Sequence, residues 1–144
     1  MIVRPHDRTR YPKFSHYVKN DLPKIIDVPL IVSAMAKIGQ LNRHKLKLAL
    51  TWGFRPELSV VQLEGAYGEF TPNSHSNEIR IDQALVENFE RNIGIRYVNN
   101  KNVYLVGVTI LHELVHWGDD QDGVDRPGEE GAEFERAIYG RVIF

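Results

Sequence analysis

The sequence has 144 residues, of which 42% are hydrophobic, so its length can bury one core without crosslinks. Eighteen Lys and Arg residues against nineteen Asp and Glu residues give a formal net charge of −1, which excludes a global field that would draw the protein onto nucleic acid or an anionic membrane. The absence of cysteine excludes a disulfide framework, a thiolate metal site and a cysteine nucleophile. We therefore expect one domain over residues 1–144, with any metal held by His, Asp or Glu.

The first 23 residues are rich in Arg, Lys, Tyr and Pro, and this composition predicts an irregular basic arm over residues 1–23 with at most one short helix. No apolar stretch of about seven residues follows the N-terminal charges, so we expect no secretory signal peptide. No segment approaches the roughly eighteen apolar residues that span a bilayer. The sequence therefore predicts neither a signal peptide nor a membrane segment.

An N-terminal helical hairpin is predicted after this arm. Apolar residues recur at steps of three and four from residue 29 to 41, which is typical of an amphipathic helix. Asn42 is a candidate N-cap for a second helix, and Gly53 is its candidate end.

After this hairpin, the spacing of the hydrophobic residues becomes typical of strands. Residues 58–63 are mainly apolar and predict a strand, and residues 65–74 are rich in turn formers. Residues 78–82 alternate between polar and apolar, which predicts a second, half-exposed strand. Asp82 is expected to cap the next helix, whose apolar stripe is Leu85, Val86 and Phe89.

Two further helices are predicted in the last third of the chain, after a turn at Asn99 and Asn100. The apolar run that starts at Val103 continues into a histidine motif, and we predict a buried helix that ends at Gly118. Its length of about fifteen residues is long for a strand. A last helix is expected over residues 128–139, because several Glu residues stand in its first turns.

The histidine motif is the run His112-Glu113-Leu114-Val115-His116. On a helix, residues four apart project from the same face, so both imidazoles can bind one metal ion. Glu113 is offset by one residue from the first ligand and can reach a water on the metal. The motif therefore predicts a zinc site with His112 and His116 as ligands and Glu113 as the catalytic base.

A third zinc ligand is needed, because a catalytic zinc site has three protein ligands and one open position. No histidine follows His116, so a carboxylate from the final helix is the economical choice. Upstream His6, His16, His44 and His75 are the alternative histidines, and the acidic candidates are Glu129, Glu130, Glu133, Glu135, Asp119, Asp120, Asp122 and Asp125. We favour Glu135, because Gly131 and Ala132 on its face would let this helix lie close to the motif helix. Glu129, which would share its face with Glu133, is the next alternative.

These residues resemble a known family. Residues 110–119, together with Gly131, Phe134, Glu135 and Tyr139, look like the zincin metallopeptidase toxin domains of bacterial polymorphic toxins and type VI secretion effectors. The likeness is specific over roughly the last forty residues. The pattern Gly131-Ala132-x-x-Glu135 is also similar to the third-ligand helix of thermolysin-like gluzincins, but Phe134 replaces their Asn and Tyr139 stands where they have Asp.

The resemblance implies an α+β, zincin-like metallopeptidase fold, in which an active-site helix and a glutamate helix pack with a small twisted sheet. In that family the edge strand of the sheet pairs with an extended peptide, and residues 78–82 are the candidate edge strand. A further donor to the oxyanion is expected, with Tyr139 and His75 as candidates.

The resemblance also implies a function: a zinc-dependent metallopeptidase, secreted or translocated into a target bacterial cell as part of a larger antibacterial effector. Its partners would be a protein or peptide substrate in the periplasm or cytoplasm and a cognate immunity protein, with no nucleic acid and no membrane. The alternatives are a zinc amidase acting on peptidoglycan and a non-catalytic binding module that zinc stabilises.

Overall fold

The N-terminal quarter of the chain is helical. The computed structural model describes residues 1–124 and 126–143, so the candidate carboxylate Asp125 lies outside the described residues. The first elements are β1 (Ile2–Val3), α1 (Pro5–Arg10), α2 (Pro12–His16), a π-helical turn (Tyr17–Asp21) and a 3₁₀ helix (Leu22–Asp27).

The prediction of an irregular arm over residues 1–23 is wrong. Pro5 and Pro12 are each the first residue of a helix, where the missing N–H needs no partner, so these prolines begin helices instead of preventing them. Phe14 and Val18 are 0% and 1% exposed and belong to the hydrophobic core. The aromatic and apolar residues of this segment therefore hold it on the body of the protein.

The predicted helical hairpin is present. Its helices are α3 (Pro29–Ile38) and α4 (Arg43–Leu50). The Asn42 side chain accepts a hydrogen bond of 2.9 Å from the backbone N–H of Lys45, which confirms Asn42 as the N-cap of α4.

A four-stranded sheet contains β1, β2 (Glu57–Val61), β3 (Gly68–Thr71) and β4 (His75–Asp82), in the order β1-β2-β4-β3. The pairs β1/β2 and β2/β4 are parallel, and β3/β4 is antiparallel. Two of these strands were predicted, but β3 lies where we expected only turns. The prediction that residues 78–82 form the edge strand is wrong, because β4 pairs with β2 on one side and with β3 on the other. The two edge strands of this sheet are β1 and β3.

The next elements connect the sheet to the motif helix. They are α5 (Gln83–Glu90) and a hairpin of β5 (Ile95–Val98) and β6 (Lys101–Tyr104). Asp82 precedes α5 as predicted, but its carboxylate accepts a hydrogen bond from the Leu63 N–H and makes no cap bond. Asn99 and Asn100 both have positive φ angles, of 50° and 63°, which suits a tight hairpin turn and confirms the predicted turn.

The motif helix is α6 (Leu105–Asp119), followed by a 3₁₀ turn (Asp120–Asp122) and by α7 (Glu130–Tyr139). The prediction that Gly118 ends the helix is wrong, since α6 continues to Asp119. A Cβ atom at position 118 would collide with the carbonyl oxygen of Gly39, so this glycine allows a close approach of the α3–α4 loop.

Helix α6 lies in the centre of the molecule. Every one of its residues except His116 is buried, and it contacts α7, β3 and β4. Helices and a mixed sheet therefore share one hydrophobic core, which confirms the α+β class. Within the described ranges, no helix combines the length and the apolar character needed to cross a membrane.

Candidate metal centre

Helix α6 presents both motif histidines on one face, one turn apart. Their ring centroids are 5.2 Å apart. His112 is 5% exposed, whereas His116 is half-buried at the mouth of a cleft. The predicted juxtaposition of the two rings is therefore present.

A carboxylate completes a cluster with these rings. Oε1 of Glu129 lies 3.2 Å from Nε2 of His112 and 3.0 Å from Nε2 of His116. The ligand atoms of the three residues all lie within 4.8 Å of one another. A tetrahedral metal ion with bonds of 2.0–2.1 Å separates its ligand atoms by about 3.3 Å, so the two measured distances fit a shared ion.

Glu135, the favoured third ligand in the sequence, lies behind His112 instead. Its Oε1 is 2.6 Å from Nδ1 of His112, and its Oε2 accepts a hydrogen bond from the backbone N–H of Ile143. The structure does not bring Glu135 to the Nε2 atoms. The reason is the start of α7: Glu129 precedes its first residue and reaches the front of the rings, whereas Glu135 is more than one turn further on.

The close helix contact predicted at Gly131 is present. A Cβ atom at this position would collide with the His112 ring, at Nε2, Cδ2 and Cε1. Only a residue without a side chain allows α7 to lie against the imidazole at this point.

A second carboxylate lies beside His116. Oε2 of the buried Glu130 lies 3.2 Å from Nδ1 of His116. Each histidine thus has a carboxylate at Nδ1, an arrangement that holds the proton on Nδ1 and leaves Nε2 to accept a metal ion.

The remaining sequence candidates lie outside the cluster. Glu133 is exposed and lies 3.6 Å from the guanidinium of Arg126. Asp119 accepts a hydrogen bond of 2.6 Å from the Gln40 amide, and Asp122 accepts one from a backbone N–H. The upstream histidines, His6, His16, His44 and His75, are not members of the group that could bind the metal.

Glu113 lies between α6 and the edge strand β3. Its carboxylate accepts a hydrogen bond from the backbone N–H of Phe70, and a Cβ atom at Gly68 would lie only 2.9 Å from its Cγ. Burial raises the pKa of Glu113 to about 7, while the positive charge of His112 opposes this shift. A carboxylate with such a pKa suits proton transfer near neutral pH.

This burial predicts a pH-dependent stability of the metal-free protein. The folded-state pKa of Glu113 is raised from 4.5 to about 7, so its favourable contribution is complete below 4.5 and is lost as pH rises through about 7. The Gln side chain in Glu113→Gln does not titrate. Between pH 4 and pH 8, the unfolding free energy of wild type should therefore fall by up to about 3 kcal/mol relative to that of Glu113→Gln. Chemical denaturation with a chelator present measures this difference. The exposed Glu64→Gln variant is the control, and parallel pH profiles for wild type and Glu113→Gln would contradict the expectation.

An open cleft of about 420 Å³ lies in front of the cluster. Its lining includes Gly68 and Phe70 of the edge strand β3, and Gly128 and Glu129 just before α7. Tyr139 and His75, the candidate oxyanion donors, do not line this cleft. The sequence analysis predicted neither the strand β3 nor the contact of Glu130 with His116. The adjacent Glu129 and Glu130 at the start of a predicted helix were the signal that could have indicated this contact.

Two histidines and a carboxylate at the mouth of a cleft, with a buried glutamate beside a sheet edge, are typical of a metallopeptidase. The sequence model of the family metallopeptidase toxin 3 matches residues 7–140, and the chain belongs to this family. The predicted metallopeptidase toxin domain is thereby confirmed, and the family implies a metal ion and hydrolysis of peptide bonds. No curated protein and no solved structure matches the chain.

Proposed function

We propose that the protein is a zinc-dependent peptidase in which His112, His116 and Glu129 hold the zinc ion. The observation that carries this proposal is the convergence of one Glu129 oxygen on both Nε2 atoms, at 3.2 and 3.0 Å. Two imidazoles and one carboxylate are a common ligand set of catalytic zinc, and the sequence offers no thiolate. Glu129 thus replaces Glu135 as the proposed third ligand.

Glu135 and Glu130 are proposed as positioning residues. Oε1 of Glu135 accepts a hydrogen bond of 2.6 Å from Nδ1 of His112, and Oε2 of Glu130 lies 3.2 Å from Nδ1 of His116. Such contacts orient the imidazole and raise its basicity. The complete burial of Glu135 makes its contact with His112 the more rigid of the two.

Glu113 is proposed as the general base. Zinc, when bound, would lower the pKa of a water molecule and polarise the scissile carbonyl. Glu113 takes a proton from the attacking water and later passes it to the nitrogen of the departing amine. Its hydrogen bond with the Phe70 N–H holds the carboxylate beside the cleft during both transfers.

The substrate is proposed to bind as an extended strand along β3. This strand is at one edge of its sheet, and Gly68, Glu69 and Phe70 border the cleft in front of the histidines. An extended peptide can add to such an edge through backbone hydrogen bonds. This geometry favours a peptide over a peptidoglycan crosslink as the substrate.

The biological setting is proposed from the family. A metallopeptidase toxin with a zincin-like fold would act as an antibacterial effector domain inside a target bacterial cell, and its producer would need an immunity protein against it. The rival hypothesis, a non-catalytic binding module that zinc stabilises, does not explain the buried Glu113. A structural zinc site needs four ligands and no general base.

Metal removal tests the proposed function. We expect the purified protein to cleave an unfolded protein such as reduced, alkylated albumin, to lose this activity in a chelator and to recover it with zinc. Mass spectrometry of the products measures cleavage, and purified peptidoglycan serves as the comparison substrate. Cleavage that survives chelation, or cleavage of peptidoglycan alone, would contradict the proposal.

A further inference from the structure

The hairpin of α3 and α4 lies in a stretch of the sequence without acidic side chains. Residues 28–56 contain five Lys and Arg residues and no Asp or Glu. Residues 1–56 together contain eleven of the eighteen Lys and Arg residues but only three of the nineteen acidic residues. The net charge of −1 therefore conceals a strongly basic N-terminal part, which contributes no residue to the lining of the metal-centre cleft.

An apolar hollow of about 360 Å³ is bordered by α4, the loop that follows it and α6. Leu48 of α4, Phe54 of the loop and Trp117 of α6 are among its lining residues. Leu48 and Phe54 are 40% and 52% exposed. The volume falls within the range of about 300–1,000 Å³ that is usual for binding pockets. None of the residues that line the apolar hollow lines the cleft, so the two sites are separate.

Two cations at the apolar hollow have no acidic partner within residues 1–124 and 126–143. Lys45 and Arg55 are exposed residues of its lining, and no Asp or Glu is among the described residues that line it. The ion pairs of these residue ranges involve neither side chain. Both cations can therefore pair with the carboxylates of a bound molecule.

The other flank of α4 has a similar combination of charge and apolar surface. A second hollow of about 280 Å³ is lined by Trp52, Lys19 and Lys47 among others, with no acidic residue among its described lining residues. Residues 45 and 47 differ by about 200° around a helix, so the two hollows lie on opposite sides of α4. The exposed face of α4 between them is basic throughout.

Trp117 also contributes a polar group to the lining of the apolar hollow. The residue is 7% exposed, and its Nε1 atom has no hydrogen-bond partner in the described part of the chain. The N–H group of a buried Trp usually has an acceptor. A lining side chain of the hollow therefore has a donor without an acceptor.

We propose that the exposed face of α4 and the apolar hollow form a docking surface for an acidic amphipathic segment of a partner protein. An apolar side chain of this segment enters the hollow beside Leu48 and Phe54, and its carboxylates pair with Lys45 and Arg55. The inference goes beyond the proposed peptidase function, because no residue of this surface is a proposed metal ligand, positioning residue or base.

A protein segment fits this surface better than a lipid bilayer does. Surfaces that bind membranes bury their apolar side chains in the boundary between headgroups and acyl chains. Leu48, Phe54 and Trp117 line a concave hollow instead, and a hollow accepts single side chains, as the grooves that bind amphipathic helices do. A basic segment would be repelled by Lys45 and Arg55, so the charge of the surface specifies an acidic partner.

Titration with designed peptides tests the docking surface. Glu113→Gln protein is mixed with a fluorescent peptide that has Leu and Phe at helical spacing and Glu at the other positions, and anisotropy gives the Kd. One control peptide has Gln in place of each Glu, and the other has Ser in place of each Leu and Phe. We expect the acidic amphipathic peptide to bind about tenfold more tightly than either control, with its affinity falling as salt rises. Equal affinities for the three peptides would overturn the inference.

Two matched pairs of variants in the same background locate the binding. Lys45→Glu should weaken it about tenfold, whereas Lys101→Glu, an equal change at an exposed lysine outside both hollows, should leave it unchanged. Leu48→Ser should also weaken it about tenfold, whereas Val142→Ser, at a residue that is likewise 40% exposed, should not. Equal effects within either pair would contradict the proposed surface.

The indole N–H signal of Trp117 gives a readout at the apolar hollow itself. The chain has two tryptophans, so Trp52→Phe assigns the two indole signals in a ¹H–¹⁵N spectrum. The acidic amphipathic peptide should shift the Trp117 signal, and an unmoved signal at saturating peptide would place the binding elsewhere and overturn the inference.

Vesicles of phosphatidylglycerol distinguish a membrane from a protein partner. If they bind the protein, lose this binding in Lys45→Glu, and the peptide does not bind, the surface docks on membranes and the inference is overturned. The peptide result should be the same with zinc and in a chelator. Because docking is measured without hydrolysis, a failure of the proposed peptidase function would leave this result standing, and a failure to dock would leave the peptidase function standing.

Discussion

Glu113→Gln is expected to lower kcat/KM for peptide hydrolysis by about 10²–10⁴-fold while leaving the zinc content unchanged. The amide has nearly the same shape as the carboxylate, so it fits the space between α6 and β3, but it cannot take a proton from water. Its oxygen can still accept the hydrogen bond from the Phe70 N–H that holds Glu113 in place.

Two measurements on the same preparation check this result. Rates of peptide cleavage give kcat/KM, and elemental analysis gives zinc per chain. The exposed Glu64→Gln variant, which lies outside the cleft, is the matched control and should behave as wild type. Undiminished hydrolysis by Glu113→Gln would remove Glu113 from the proposed chemistry.

Glu129→Ala and Glu135→Ala are expected to weaken zinc binding in different ways. Loss of Glu129 removes one of three proposed ligands and should lower zinc affinity by roughly 10²–10³-fold, an order of magnitude beyond what outer-shell changes typically cost. The side chain of Glu129 is 62% exposed, so the thermal midpoint of the metal-free protein should hardly change.

Loss of Glu135 should instead lower both the zinc affinity and the thermal midpoint of the metal-free protein. Its buried carboxylate accepts hydrogen bonds from Nδ1 of His112 and from the N–H of the half-buried Ile143, so Glu135→Ala removes both hydrogen bonds and should lower the thermal midpoint of the metal-free protein. Zinc affinity should fall by about 10–100-fold, through the orientation of His112.

Competition with a zinc-binding dye and thermal unfolding in a chelator separate the two residues. The exposed Glu133→Ala variant, on the same helix, controls for a change of charge. If Glu135→Ala abolished zinc binding while Glu129→Ala bound zinc like wild type, Glu135 would be the ligand and the present assignment would be reversed.

Local sequence patterns predicted the features that depend only on residues close together in the chain. The spacing of His112 and His116 places both rings on one helix face, because helix geometry alone decides it. Asn42 as a cap and the turn at Asn99 and Asn100 follow equally from nearby residues. The proposed roles of these histidines in binding zinc stay predictions.

Long-range contacts were the part that local patterns could not predict. The choice between Glu129 and Glu135 depends on where α7 begins and on how its axis crosses α6. The spacing of residues along a helix determines neither the start of the helix nor its crossing angle. The edge position of β3 depends on the order in which β2, β3 and β4 pair, and four residues beginning with Gly carry little strand signal. The helices of residues 1–23 are stabilised by tertiary burial of Phe14 and Val18, which local composition does not reveal.

A crystal structure of zinc-loaded protein, with anomalous diffraction collected at the zinc edge, tests the proposed centre most directly. We predict one anomalous peak about 2.0–2.2 Å from Nε2 of His112, Nε2 of His116 and a carboxylate oxygen of Glu129, with one further position open toward Glu113. A peak bound by Glu135, or an ion enclosed by four protein ligands, would contradict this metal centre and the hydrolysis proposed for it.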